Sequence, residues 1–384
     1  MTSQSSLPVE LASEVLTEIR GQVGFITLNR PKALNALSLP MIRDLSACLL
    51  RWRDDPAVQA VALRGSNKNG VFGALCAGGD IRFFHQAALA GDDTLEDFFT
   101  DEYALNHLIH SFPKPYFAFM DGIVMGGGMG LCGHGGGESG GEQLKIRVVT
   151  ERSKLAMPET HIGLFPDVGG GYFLSRCPGH VGEWLALTGE VLGAADALAF
   201  GLADACLDVA QLQPAWDALA QYPQFNPEVV KSWIATYSIA TQAQPACPRG
   251  LIDHYFSKAT VRDIVQTLEA STEAWAQATA ATLRKRSPLM LHVALEQVRR
   301  AKTLSLADDL RMERDMVHHC FHPTHLGRPV RESETVEGIR ALVVDKDHAP
   351  RWNPNAIEAV TPAMVTPFFS SPWTPQTHPL RALA

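Results

Sequence analysis

The run Met125-Gly126-Gly127-Gly128-Met129-Gly130, set inside Lys114–Phe173, decides how this chain reads. Tyr116-Phe117-Ala118-Phe119-Met120 leads into it as an unbroken apolar segment, the pattern of a buried strand. Residues without side chains directly after such a strand let a ligand come within touching distance of backbone N–H groups. A helix opening at the glycines would leave its first amides unpaired and set the positive end of its dipole there. The segment therefore predicts an anion hole. Downstream, Pro158-Glu159 and Phe165-Pro166-Asp167-Val168-Gly169-Gly170-Gly171 are candidates for bringing two carboxylates to the same place.

Working outward, Val15–Ile19 and Val23–Leu28 flank Arg20-Gly21-Gln22 as a β-hairpin. Met41, Leu45, Cys48, Leu49 and Trp52 share one face of a helix opened by Leu39-Pro40. Val58–Leu63 reads as a strand and Phe84–Phe112 as helix; between them stands a second glycine pair, in Cys76-Ala77-Gly78-Gly79-Asp80-Ile81. Leu144–Thr150 is a strand, Val181–Leu187 and Ala194–Phe200 are helical, and Gly133–Gly141 is too rich in glycine for anything but a loop. This alternation predicts an α/β core of stacked ββα units over residues 1–210. From 211 to 384 the pattern is mainly helical, with Val261–Arg286 and Leu289–Lys302 the clearest amphipathic segments. Beyond Pro350 a proline-rich tail is expected to wrap over the surface.

A chain of 384 residues buries a large core, and 46% hydrophobic content is ordinary for a globular protein. The net charge of −8 argues against nucleic acid or a membrane surface as partner. Seven scattered cysteines without a C-x-x-C pair fit a reduced, cytoplasmic protein. The N-terminal residues lack the pattern of a signal peptide, and no apolar run approaches the roughly 18 residues a membrane span needs. His318, His319, Cys320, His322 and His325 cluster, but their spacing matches no zinc pattern, so no metal is expected.

Gly128-Met129-Gly130-Leu131-Cys132-Gly133 fits G-x-G-x-x-G literally, with Glu151 placed where a ribose-binding acid would stand. The crossover helix of a dinucleotide fold would then run through GHGGGESGGEQ, where each glycine costs about 1 kcal/mol, so this reading fails. Two amides converging on one oxygen make an oxyanion hole, and Gly79 with Gly127 could supply them. Either glycine alone is more simply a tight turn; the pair, taken with the carboxylates, is not.

Pro31-Lys32-Ala33-Leu34-Asn35-Ala36-Leu37, Cys76–Ile81 and Met125–Gly128 resemble the crotonase (enoyl-CoA hydratase/isomerase) superfamily. Ala156–Thr160, Gly163–Leu174, Leu185–Gly189, Val336–Ala341 and Asp345-Lys346-Asp347 are similar to its 3-hydroxyisobutyryl-CoA hydrolases, and the likeness runs from Val15 to Trp352. The resemblance implies a crotonase-like spiral of stacked ββα units with a helical C-terminal region, an α/β (α+β) fold. It implies that the N–H groups of Gly79 and Gly127 hold a thioester carbonyl, that Glu159 and Asp167 act on thioester and water, and that Glu102 meets a 3-hydroxyl. Lys32, Ala33, Ala77, Asp80, Ile81 and Arg82 become expected contacts for coenzyme A, with Arg30 and, more weakly, Arg284-Lys285-Arg286 as further cations. The implied activity is hydrolysis of a short-chain 3-hydroxyacyl-CoA in valine breakdown. Coenzyme A is part of that substrate, and no separate cofactor is expected. Hydratases carry an acid where Gly130 stands, so hydration lacks a partner that hydrolysis does not need. A hydratase or isomerase, and a non-catalytic acyl-CoA-binding protein, remain as rivals; a homo-oligomer stays open. Gly135–Gln143 looks like an insertion relative to the hydrolases.

Overall fold

Beginning with the hairpin, β1 (Val15–Arg20) and β2 (Val23–Leu28) pair antiparallel, Val15 against Leu28 through Arg20 against Val23, around Gly21 at φ +58°. Coordinates come from a computed structural model and describe residues 13–133, 145–240 and 245–384. The expected glycine loop and insertion therefore lie, but for Gly133, outside the described residues. Helix α1 (Leu39–Asp54) opens with the Ser38 side chain accepting the Met41 N–H and buries the expected apolar face together with Ile42.

Next come β3 (Ala60–Asn67), β4 (Gly70–Val71), β5 (Ala74–Cys76), α2 (Ile81–Ala90), α3 (Thr94–His110), β6 (Tyr116–Phe119), β7 (Ile123–Met125), the single turn α4 (Gly127–Gly130), β8 (Lys145–Val149) and β9 (Lys154–Ala156). With β10 (Ala205–Cys206), the strands form a seven-stranded sheet in the order β1-β2-β3-β6-β8-β10, β4 pairing with β3, and a three-stranded sheet β5-β7-β9. Beyond the β1–β2 hairpin, both sheets pair in parallel along these paths. The chain thus visits the large sheet, the small sheet and a helical turn three times: β3-β5-α2, β6-β7-α4, and β8-β9 followed by the 3-10 turn Glu159–Ile162. These are the stacked ββα units.

Helices follow: α5 (Gly170–Ser175), α6 (Val181–Thr188), α7 (Ala194–Ala199), α8 (Leu212–Leu219), α9 (Pro227–Tyr237), α10 (Arg249–Phe256), α11 (Val261–Glu269), α12 (Ala274–Leu283), α13 (Pro288–Ala301) and α14 (Leu306–Phe321). Two segments read as continuous helix are broken. Gly91, at φ +67°, closes α2 by donating to the Ala87 and Ala88 carbonyls, and Asp92 accepts the Thr94 N–H at the start of α3. The segment 261–286 splits into α11 and α12 where Ser271 accepts the Glu273 N–H. No helix among the described residues is long and apolar enough to cross a membrane.

Strand β6 shows why its apolar run is unbroken. Tyr116 and Ala118 enter the main core, while Phe117 and Phe119 enter a second cluster with Phe25, Trp216 and Trp233 on the opposite face. A parallel strand covered on both faces needs no polar alternation. The main cluster extends from Val15 to Leu380, so the proline-rich tail is anchored in it through Phe368 and Leu380. Phe368 is 1% exposed and packs on His319 and His325. Phe368→Ala should cost about 3–5 kcal/mol in urea unfolding, the usual penalty for emptying a buried aromatic site; a tail merely draped over the surface would give no measurable loss.

Candidate active site

Because β5, β7 and β9 are adjacent and parallel, the segments leaving their C-terminal ends emerge side by side. These are Ala77-Gly78-Gly79, Gly126-Gly127 and Pro158-Glu159, and together they line a cavity of about 540 Å³. The backbone comes together there only because side chains are missing. Gly78 has φ +108° and Gly126 φ +49°, both in the region that favours glycine. A Cβ on Gly127 would collide with Glu102 Oε1 and stand 3.5 Å from the Gly79 nitrogen; one on Gly78 would stand 3.7 Å from the Gly127 nitrogen. The two amides are therefore neighbours. Leu37 clips the first loop in place, its N–H donating to the Gly78 carbonyl and its carbonyl accepting from Asp80. Neither the Gly79 nor the Gly127 N–H finds an acceptor among the described residues.

A helix does open at Gly127, as expected, with its first amide unpaired, but α4 is only one turn long; Gly79 stands one residue before Asp80, the N-cap of α2. Two bare amides remain, without a macrodipole of consequence behind them.

Three carboxylates face this cavity. Glu102 comes from α3, Glu159 opens the 3-10 turn after β9, and Asp167 precedes α5; they are 2%, 6% and 6% exposed. Glu102 Oε1 and Glu159 Oε2 are buried without a hydrogen-bond partner among the described residues. Burial pushes the Glu102 carboxyl well above its ordinary range, and the Asp167 charge adds to this. Glu159 is raised by burial and then by Asp167 and Glu102. Asp167 is pushed up to about 6 by burial, restrained by the Tyr103 hydroxyl, which donates to its Oδ2 at 2.9 Å. Tyr103 is invisible to motif reading, since nothing in sequence links it to a carboxylate so distant along the chain.

Gly130 has no room for a side chain. A Cβ there would stand 2.6 Å from Asn106 Nδ2 and 2.8 Å from Val168 Cβ. Gly128 is equally constrained, against the Cys76 backbone.

Of the residues expected to meet coenzyme A, Ala33, Ala77, Asp80, Ile81 and Arg82 line the cavity. Asp80 is occupied structurally: it accepts the Phe83 N–H and pairs with Arg30 at 2.8 Å. Arg30 also lines the cavity and pairs with Glu14, whereas Arg82 is exposed and makes no ion pair among the described residues. Lys32 sits exposed on the 3-10 turn Pro31–Ala33 and does not line it. Arg284 is held by Glu269 and Glu358, and Arg286 donates to the Thr188 carbonyl, so that run serves the helical region rather than the cavity.

His161, Ile162 and Leu164 complete one wall, and Leu342 and Val343 reach it from the π-helical turn Arg340–Val344. His161 is held neutral, pushed down to about 4 by burial and by Arg286 and His348. In the histidine cluster, Glu96, His318 and His322 lie within 4.8 Å of one another, close enough to share an ion. Their contacts read as a hydrogen-bonded joint between α3 and α14. Glu96 pairs with Arg314, His318 Nδ1 is 3.1 Å from Glu96 Oε1, and His322 Nδ1 lies 3.0 Å from the His318 carbonyl, a position that requires it to donate.

The enoyl-CoA hydratase/isomerase family profile matches residues 23–369. The chain is 37% identical over 360 residues to the mitochondrial 3-hydroxyisobutyryl-CoA hydrolase of Gallus gallus, covering 92% of this chain and 88% of that protein. To the Mus musculus counterpart it is 38% identical over 368 residues, covering 94% and 89%. Among solved structures, a carnitinyl-CoA dehydratase from Mycobacterium thermoresistibile superposes with TM-score 0.82 at 38% identity, covering 93% of this chain and 96% of that one. An enoyl-CoA hydratase from Rhodobacter sphaeroides gives TM-score 0.81 at 34% identity, covering 94% and 98%.

The raised carboxyls carry a stability signature. A buried acid whose folded pKa exceeds its unfolded value favours the fold at low pH and costs stability as pH rises through the folded value. Asp167→Asn and Glu159→Gln should therefore unfold at higher urea concentration than the parent at pH 8, with the gap closing toward pH 4.5. A gap independent of pH would show that these carboxyls do not ionise against their surroundings.

Proposed function

This chain belongs to the enoyl-CoA hydratase/isomerase family, and on that footing we propose that it hydrolyses a short-chain 3-hydroxyacyl-CoA thioester, 3-hydroxyisobutyryl-CoA foremost, releasing the free acid and coenzyme A. One observation carries the reading: two unpartnered amides stand together at the head of a cavity walled by buried carboxylates. Thioester cleavage needs those parts. Negative charge develops on the carbonyl oxygen as an oxygen nucleophile adds, and preorganised N–H donors from Gly79 and Gly127 stabilise it. The acids supply the rest. The coupled carboxyls do not all ionise together at neutral pH, so a base and a proton donor coexist in one site.

Glu159 stands against the Gly126-Gly127 loop; a Cβ on Gly126 would lie 2.8 Å from its Oε1. Glu102 stands equally close to Gly127; we assign Glu159 to deliver oxygen to the carbonyl carbon on the chain's resemblance to the hydrolases and leave Glu102 to the 3-hydroxyl. Glu159 does so either by taking a proton from attacking water or by adding itself to give a mixed anhydride that water then opens. On both routes the C–S bond breaks and the departing sulfur takes up a proton. Asp167, steadied by Tyr103, is its partner in moving protons, and Glu102 accepts from the 3-hydroxyl. Arg82 and Arg30 meet the phosphates of the CoA moiety. In a single turnover in ¹⁸O-water, label in Glu159 with an unlabelled product acid identifies the anhydride route with water opening it at the Glu159 carbonyl.

A hydratase reading draws on the names of the two solved neighbours. Paired-acid hydration would require a carboxyl at Gly130, where Asn106 and Val168 already fill the space. We place the reaction in valine breakdown and in a reducing compartment, the cytoplasm, to which seven free cysteines are suited.

Two outcomes test this. With 3-hydroxyisobutyryl-CoA, the parent should release free thiol detectable with a thiol reagent, and Glu159→Gln should lower kcat by about 10²–10⁴-fold. Thiol release no faster than the uncatalysed rate in parent and variant alike would favour a binding protein, catalysed release undiminished in the variant would remove Glu159 from the chemistry, and loss of enoyl absorbance without thiol release would favour a hydratase. Glu102→Gln should erode the preference for 3-hydroxyacyl over unsubstituted acyl thioesters; an unchanged ratio removes Glu102 from substrate recognition.

A further inference from the structure

Asp167 stands on a turn the backbone does not choose unaided. The next residue, Val168, has φ +56°, a conformation in which a β-branched side chain is a genuine outlier, and Gly169 follows at φ +82°. Such strain persists only where surroundings over-determine it, and two side chains from distant helices do so here. Gln297 of α13 donates from Nε2 to the Pro166 carbonyl at 2.6 Å and to Glu313 Oε1 at 2.9 Å. Glu313 of α14 accepts the Gly169 N–H at 2.7 Å and the Gly171 N–H at 2.9 Å. One helical turn earlier, Asp309 accepts the Tyr172 N–H at 2.8 Å. All three side chains are wholly buried, and none lines the cavity.

Capping alone does not account for this arrangement. A serine or asparagine caps a helix without burying a carboxyl. Here burial pushes Asp309 up to about 7 and Glu313 well above its ordinary range. What the acids and the amide achieve together is a grip on both flanks of Asp167-Val168, the carbonyl before and the amide after.

We propose that Gln297 and Glu313 are positioning residues that hold the strained Pro166–Gly169 turn so that the Asp167 carboxylate meets the Tyr103 hydroxyl and faces the cavity. The inference rests on Asp167 being a reacting carboxylate. Without the grip, Val168 relaxes toward negative φ, the peptide after Asp167 rotates, and the carboxylate leaves Tyr103.

Gln297→Met tests this without changing charge. In the folded variant, kcat for thioester hydrolysis should fall by up to about 100-fold with KM within about twofold, as for a misplaced reacting group. Carbon-13 NMR of labelled aspartate, with the Asp167 signal assigned by its loss in Asp167→Asn, should show its titration moved to higher pH than in the parent, because the Tyr103 donor is lost. Gln297→Asn, which keeps an amide but withdraws it by one methylene, serves if the methionine variant does not fold. Parent-like kcat and an unmoved Asp167 titration in a folded variant would overturn the proposal. If the parent itself releases no coenzyme A, the hydrolase reading fails, while the NMR titration still decides whether Gln297 places Asp167.

Discussion

Parallel pairing of β5, β7 and β9 is the constraint on which the site depends. Ala74 faces Ile123, Ile123 faces Lys154, and Met125 faces Ala156, so three segments far apart in sequence leave one small sheet at one edge and one level. Each contributes a single part: an amide at Gly79, an amide at Gly127, a carboxylate at Glu159. Parallel strands place all their C-terminal ends together, and whatever follows them becomes a common surface. A slip of one residue in this register would turn each side chain to the other face and carry the amides apart. Gly128, packed on the Cys76 backbone, fixes the spacing between the first two levels.

Some buried acids elsewhere have cations: Asp121 pairs with Arg152, Glu334 lies near Arg328, and Glu183 meets Lys302. Asp309 and Glu313 are instead held by backbone N–H groups and the Gln297 amide. Glu102, Glu159 and Asp167 have no cation among the described residues, and their nearest help is a tyrosine hydroxyl. Buried carboxyls without a cation are kept protonated at higher pH, which destabilises the fold and makes proton exchange possible near neutrality. Arg30 and Arg82 also line the cavity, and neither pairs with the three acids among the described residues.

The sequence made local features readable and left distant ones unread. Glycine strings, the Pro-Glu and Pro-Asp pairs and the apolar run of β6 each announce a backbone event within a few residues. The break between α2 and α3 was missed because one glycine in a helical pattern is tolerated as often as it terminates. Tyr103, Gln297 and Glu313 carry no local mark, since their roles exist only once α3, α13 and α14 close on the turn at Asp167. Lys32 and Arg284 stand off the cavity lining for a related reason. A cation's position in a motif says nothing of which way its side chain leaves the backbone.

One element links positioning with reaction choice. Val168 is forced to positive φ by the grip on its neighbours, and that conformation sets its Cβ against Gly130. Asn106 closes the same space from α3. The turn that presents Asp167 to the cavity thus also occupies the slot in which hydratases keep an acid. A carboxyl at position 130 would have to displace Val168, and moving Val168 would unseat Asp167. The two arrangements exclude each other sterically, so a chain built with this turn has no room for a carboxyl at position 130, and the proposed use of its acids in adding water to a thioester is the one this packing leaves open.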